Sequence, residues 1–250
     1  MSDLPSQGEQ AVLEAIDVHR DYSIGSSTIP VLKGVNLRFL PGETVSLVGR
    51  SGVGKTTLLQ ILGLLDRPTS GQVKVRGRDV SQLSRSQRAE VRRREIGFVF
   101  QFYHLIPELT ALENVMLSQR IGEPFLQALA RRRSERERAT ALLERVGLGH
   151  RIRHRPRQMS GGELQRTAIA RALFAKPSIL LCDEPTGNLD ADTGAAILEL
   201  LFQLQTENRT ALVMVTHDLE VARRCERLVT LRDGRVEKEE LLAAGMPPIQ

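Results

Sequence analysis

Eight consecutive residues, Gly49-Arg50-Ser51-Gly52-Val53-Gly54-Lys55-Thr56, fit the pattern GxxxxGK[ST]. Glycines let a backbone wrap closely around phosphate oxygens, and the first amides of a following helix add roughly half a positive charge. Lys55 adds a full charge opposite the β and γ phosphates, and Thr56 offers a hydroxyl to Mg²⁺. The motif follows an apolar run ending at Val48 and precedes a helix expected over 57–65, opened by Thr57, as the mechanism requires. The pattern predicts binding of a nucleoside triphosphate.

A second constellation lies downstream, where the apolar run from Ser178 to Cys182 ends in two carboxylates, Asp183 and Glu184. A strand ending this way would hold Asp183 near a Mg²⁺ ion and present Glu184 to the attacking water as general base. Binding alone has no need of the second carboxylate. Between the two constellations, Ser160-Gly161-Gly162-Glu163 opens a helix; on its own, Ser followed three places later by Glu is a capping box.

The elements that must carry these residues follow from the apolar pattern. Continuous apolar runs at 45–48, 97–100, 179–182 and 211–215 predict strands buried on both faces, and helices between them argue for an α/β fold around a largely parallel sheet. The stretches 15–22, 31–39 and 72–80 mix apolar with polar residues and predict an antiparallel flap beside that sheet. The span 84–173 reads as mostly helical, with Ala139, Leu142, Leu143 and Val146 at the spacing of one buried helix face.

The 250 residues are 41% hydrophobic and 26% charged, the composition of a folding globular chain. No apolar run approaches the roughly 18 residues that span a bilayer, and Met1 to Gln10 lacks the basic start and apolar stretch of a signal peptide. The expectation is a cytosolic chain with no membrane span of its own. Two cysteines, Cys182 and Cys225, are too few for a disulfide framework or a zinc cluster and are expected as free thiols. The net charge of +5 invites a nucleic-acid reading. However, the arginine clusters at 92–94, 131–133 and 151–157 have no interleaved aromatics and read as solvated helix faces and loops, so no nucleic-acid partner is expected.

The order of these motifs resembles the ATP-binding cassette (ABC) family, over nearly the whole chain. Ser160 to Gln165 matches its signature, Gln101 its Q-loop, Gly187 to Asp190 its D-loop, His217 its switch histidine, and Tyr22 the aromatic that stacks on adenine. The resemblance implies an ATPase made of one nucleotide-binding domain over 1–250. Its fold would be a P-loop NTPase (RecA-like) core with an N-terminal antiparallel β subdomain and an inserted α-helical signature subdomain over about 84–173. It further implies ATP held by Tyr22, residues 49–57, Gln101 and Ser160 to Glu163, with Mg²⁺ at Thr56, Gln101 and Asp183 and catalysis by Glu184 and His217. In the head-to-tail homodimer that the family forms, the signature of one copy faces the nucleotide of the other. Arg50, Thr56 and Leu164 depart from the commonest residues at their positions; Thr56 keeps the hydroxyl.

An ABC ATPase without a span needs a membrane partner to drive transport. The stretch Phe102 to Val115 mixes apolar residues with Pro107 and could form a groove for a partner's short helix or pack internally. That stretch, Gly147 to His150 and His154 to Pro156 resemble a group of ABC ATPases with lipoprotein-releasing, macrolide-export and FtsE-like cell-division members. The lipoprotein-releasing members imply a peripheral ATPase on the cytoplasmic face of the inner membrane, beneath permease subunits of the LolC/LolE kind. Export and cell-division regulation remain the alternatives.

Overall fold

The computed structural model describes residues 10–25, 27–120 and 125–242. The start at Met1 and the end after residue 242 lie outside the described residues, and with them most of the stretch relevant to a signal peptide.

The first unit is an antiparallel sheet made by β1 (Leu13–Ile24), β2 (Ser27–Phe39), β4 (Ser70–Val75) and β5 (Arg78–Asp79), in the order β2-β1-β4-β5. It corresponds to the flap read from the mixed polar and apolar stretches. The second is a six-stranded sheet, ordered β10-β9-β3-β8-β7-β6, of β3 (Thr44–Val48), β6 (Ile96–Phe100), β7 (Ile179–Asp183), β8 (Ala211–Val215), β9 (Arg227–Arg232) and β10 (Arg235–Leu241). Five of its strands run parallel from β9 to β6, and β10 closes the edge antiparallel to β9.

The continuous apolar runs have a direct physical use, because alternate residues of one strand feed two cores. Ile179 and Leu181 of β7 and Val213 of β8 join the core shared with α1 (Lys55–Leu62) and the antiparallel sheet. Leu180, Cys182, Leu212 and Met214 face the opposite core. That core is built from α3 (Ala111–Arg120), α4 (Phe125–Arg145), α5 (Gly161–Leu173) and α6 (Ala191–Asn208). A strand buried on both faces has no polar side to offer, hence the unbroken runs.

The helix after the glycine-rich loop differs from its sequence expectation at both ends, running from Lys55 to Leu62 rather than over 57–65. Beyond Gly63 the chain closes as a Schellman motif, with Leu64 N–H on Ile61 O at 3.0 Å and Leu65 N–H on Gln60 O at 2.9 Å. Leu64 takes the left-handed position, at φ 57°, that glycine usually fills, so the run of leucines reads as more helix than there is.

The span 84–173 is not uniformly helical either. The helix α2 (Arg85–Glu95) leads directly into β6, so the helices that cover the second core begin only at Ala111. The arginine clusters divide. Arg131 to Arg133 are exposed as expected, whereas Arg92 donates to Leu64 O at 2.9 Å and Arg93 pairs with Glu90 at 2.8 Å, both partly buried. Arg138 lies 4.3 Å over the Phe174 ring and donates to Phe174 O, and so ties α4 to the end of α5. No helix among the described residues is long and apolar enough to cross a membrane. Cys182 and Cys225 are free and buried, and burial pushes the Cys225 thiol up to about 12.

Candidate functional site

Ligands of open parallel sheets bind beyond the carboxyl ends of the strands, and here four adjacent strands deliver the sequence-predicted residues to one edge. β3 leads into Gly49, β8 into Thr216 and His217, β7 into Asp183 and Glu184, and β6 into Gln101.

In the glycine-rich loop, Gly49 has φ 151°, and a Cβ there would lie 2.4 Å from Leu231 O. The turn therefore passes against β9 only if residue 49 has no side chain. Lys55 Nζ donates to Gly49 O at 2.8 Å and Arg50 O at 3.0 Å, so the ammonium is folded across the loop. Val53 packs on the first core, while Arg50, Ser51, Gly52 and Thr56 are exposed. Gly54 caps α1 without a side-chain acceptor, so the amides of Lys55, Thr56 and Thr57 are free to meet an anion.

The Thr56 side chain lies beside Asp183 and favours its ionised form. Burial and then the neighbouring Glu184 raise its carboxyl above the usual range, against the opposing pull of Thr56 and Lys55. One carboxylate and one hydroxyl form a hard oxygen donor set, and no group of three or more His, Cys, Asp or Glu suited to a metal occurs among the described residues. That fits Mg²⁺, which is bound through one or two carboxylates plus substrate phosphates rather than by an all-protein cage.

Glu184 follows in the left-handed region at φ 46°, its N–H donating to Val215 O at 2.9 Å. A side chain other than glycine in this region costs of order 1–2 kcal/mol, and such strain is held where the surroundings fix it. Glu184 Oε1 lies 3.0 Å from His217 Nδ1. Gln101 Nε2 donates to Asn188 Oδ1 at 3.3 Å, and Asn188 Nδ2 returns a bond to Gln101 O at 2.9 Å. A Cβ on Gly187 would lie 2.9 Å from Gln101 Nε2 and 3.2 Å from Glu184 Oε2. Gln101, Glu184 and His217 thus converge around one bare backbone turn, with the Gln101 amide on the loop after β7.

Ser160 caps α5, accepting from Glu163 N–H while its own N–H donates to Glu163 Oε2 at 2.8 Å. Arg151 Nε donates to Glu163 Oε1 at 2.8 Å. The backbone amide of Ser160, burial working against it, and then Arg151 hold the Glu163 carboxyl below its usual range. The capping box is therefore real, and its glycines lie against the loops after β6 and β7 and the start of α6. A Cβ on Gly161 would lie 3.3 Å from both Leu189 Cδ2 and Tyr103 Oη, and one on Gly162 2.7 Å from Thr193 Cγ2.

Tyr22 stands in the antiparallel sheet. Val31 and Leu32 of β2 lie against Gly54 of the phosphate loop, and Leu32 pairs across with Arg20, two residues before Tyr22. The ring lies beneath Arg20, whose guanidinium is 4.4 Å from the ring centroid.

The stretch after Gln101 divides between the two readings open to it. Ala111, Leu112, Val115 and Met116 enter the second core, while Phe102 is 69% exposed and Ile106 37%. Buried Asn114 fixes the turn, accepting from Ile106 N–H and donating to Ile106 O, Leu109 O and Thr110 O. Arg171 of α5 donates to Tyr103 O and His104 O at 2.6 and 2.5 Å.

The supporting roles of Asn114, Arg151, Arg171 and Gln165 were not read from the sequence, although Gln165 lies within the signature match, Arg151 within an arginine cluster and Asn114 within the stretch after Gln101. Gln165 is fully buried, and its Nε2 donates to Pro185 O at 2.5 Å, joining the signature helix to the residue after Glu184. A signal for it existed, since Gln165 lies on the same helical stripe as Ala168, Ile169 and Ala172, where a polar residue is out of pattern.

Comparison with known proteins agrees with this geometry. A family model described as ABC transporter matches residues 32–187. The lipoprotein-releasing system ATP-binding protein LolD of Pseudomonas fluorescens is 48% identical over 229 residues, 91% of this chain and 98% of its own length. That of Xanthomonas campestris is 49% identical over 228 residues, 91% of this chain and 93% of its own. Among solved structures, a dimeric post-hydrolysis state of the ATP-binding cassette MJ0796 bound to ADP and Pi superimposes with a TM-score of 0.81. It is 42% identical and covers 93% of this chain and 100% of its own. With the phosphate loop, the paired carboxylates and the signature helix in their order and places, the chain belongs to the ABC transporter family, as an ATP-binding, ATP-hydrolysing cassette.

Proposed function

We propose that this cassette works as an ATP-dependent homodimer that drives membrane permease subunits of the LolC/LolE kind, releasing lipoproteins from the inner membrane. It would act at the cytoplasmic face of that membrane. The observation that carries this reading is likeness over most of the chain: relatives named as lipoprotein-releasing ATPases match 91% of it at 48–49% identity.

Within each site, residues 49–57 bind the phosphates, with Lys55 neutralising their charge and the α1 amides donating to them. Thr56 and Asp183, with Gln101 alongside, would hold Mg²⁺, and when bound the ion would supply neutralisation of phosphate charge. Glu184 orients and deprotonates the attacking water, and His217 steers that carboxylate from Nδ1. The contact of Glu184 with His217 at 3.0 Å supports this assignment. Ser160, Gly161, Gly162 and Glu163 face the nucleotide of the second copy, and Tyr22 stacks on its own adenine. Support for the intersubunit role comes from the dimeric form of the similar cassette.

The test is recovery of the partner. The tagged chain, purified from detergent-solubilised membranes, should carry a pair of lipoprotein-releasing permease subunits. Recovery of a cell-division membrane protein or an exporter subunit in their place would overturn the assignment.

A further inference from the structure

We infer that Arg20 and Asp66 are positioning residues for base recognition: they clamp the Tyr22 ring so that the nucleotide base stacks on the face opposite Arg20. The inference rests on the proposed contact between Tyr22 and adenine.

The clamp has three parts. The Arg20 guanidinium lies 4.4 Å from the Tyr22 centroid, covering one face of the ring. Arg20 Nη2 forms an ion pair with Asp66 Oδ2 at 2.9 Å, and the Tyr22 hydroxyl donates to the same oxygen at 3.0 Å. Cation, ring and hydroxyl are therefore tied to one carboxylate.

That carboxylate is itself fixed. Asp66 Oδ1 accepts from Arg67 N–H at 2.7 Å, and the Asp66 carbonyl accepts from Arg88 at 3.3 Å. Asp66 follows the Schellman turn that ends α1, and its N–H donates to Gln60 O at 3.2 Å. The helix that begins at the phosphate loop thus ends by anchoring the aromatic, which sets the spacing between phosphate and base sites through one rigid element. A tyrosine side chain has two rotatable torsions, and fixing both before the base arrives removes an ordering cost from binding. With one face under Arg20, the opposite face is left for the base.

The experiment measures Kd by calorimetry for MgATP and for magnesium tripolyphosphate, which has no base, in the full chain. Arg20→Met and Asp66→Ala are expected to raise the Kd for ATP about three- to tenfold, the effect of a partly desolvated cation on a ring. The Kd for tripolyphosphate should stay within twofold. Arg20→Lys, which keeps a cation for both ring and carboxylate, should restore most of the ATP affinity. Tyr22→Ala provides the reference and should weaken ATP alone. If Tyr22→Ala weakens ATP but Arg20→Met leaves it unchanged or tightens it, the clamp is refuted while the stacking stands. Equal loss of both ligands in Arg20→Met would also refute it, assigning the pair to folding. If Tyr22→Ala binds ATP normally, the stacking fails, and the clamp with it.

Discussion

Replacing Gln165 with Met separates a residue that positions the catalytic turn from one that merely fills the core. Gln165 is fully buried and donates to Pro185 O, while its own Oε1 has no hydrogen-bond partner among the described residues. The substitution leaves the buried Pro185 carbonyl without that donor, at about 1–3 kcal/mol, and removes an unpaired buried oxygen worth a similar amount. Met is close in shape, so little cavity arises. The opposing terms leave a net change within about 1.5 kcal/mol, or a Tm shift under about 6 °C for a chain of this size. Turnover should respond far more. Pro185 follows Glu184, whose left-handed backbone needs the surroundings to hold it, and misplacing a reacting group by even 1 Å can cost up to about a hundredfold. The expected result is a kcat at least tenfold lower with the Kd for ATP unchanged, measured by steady-state ATPase assay, calorimetry and thermal unfolding on one preparation. A variant with wild-type kcat, or one whose Tm falls by more than about 10 °C, would refute the positioning role.

Other outcomes follow from the same geometry. Replacing His217 with Ala removes the side chain 3.0 Å from Glu184 Oε1 and should lower kcat about ten- to a hundredfold with ATP binding intact; weaker ATP binding instead would place His217 on the nucleotide. Acid should loosen the start of the signature helix. The Glu163 carboxyl is held below its usual range, chiefly by the Ser160 amide, so its contribution is fully present above the ordinary carboxylate pKa and is lost as pH falls through the lower folded value. Amide exchange at the start of α5 should rise in that window in the wild type, and Glu163→Gln should show the faster exchange already at neutral pH.

The features legible in the sequence were those in which local chemistry dictates form. The glycine-rich loop and the strand ending in Asp183 and Glu184 announce phosphate and water, and the four buried strands announce themselves because both faces must be apolar. What stayed hidden was long-range pairing. Nothing near Glu163 in sequence says that Arg151 completes its cap, and Arg92 reads as surface charge until the end of α1 is seen beneath it. Leu64 is the clearest local miss: a leucine in a glycine's conformation ends α1 early, and that turn brings Asp66 to Tyr22. The exposed Phe102 and the buried Ala111 show why the stretch between them admitted two readings, since one end faces solvent and the other enters the core.

The central claim, that Glu184 activates water at a site otherwise complete for ATP, is tested most directly by single-turnover hydrolysis in Glu184→Gln. The amide keeps the size of the side chain and spares Lys55, Thr56 and Asp183, but it cannot take a proton. Hydrolysis should fall by about a hundredfold or more, the usual contribution of a general base, while the Kd for ATP is unchanged and the ATP-bound dimer accumulates. Hydrolysis at the wild-type rate would contradict the claim.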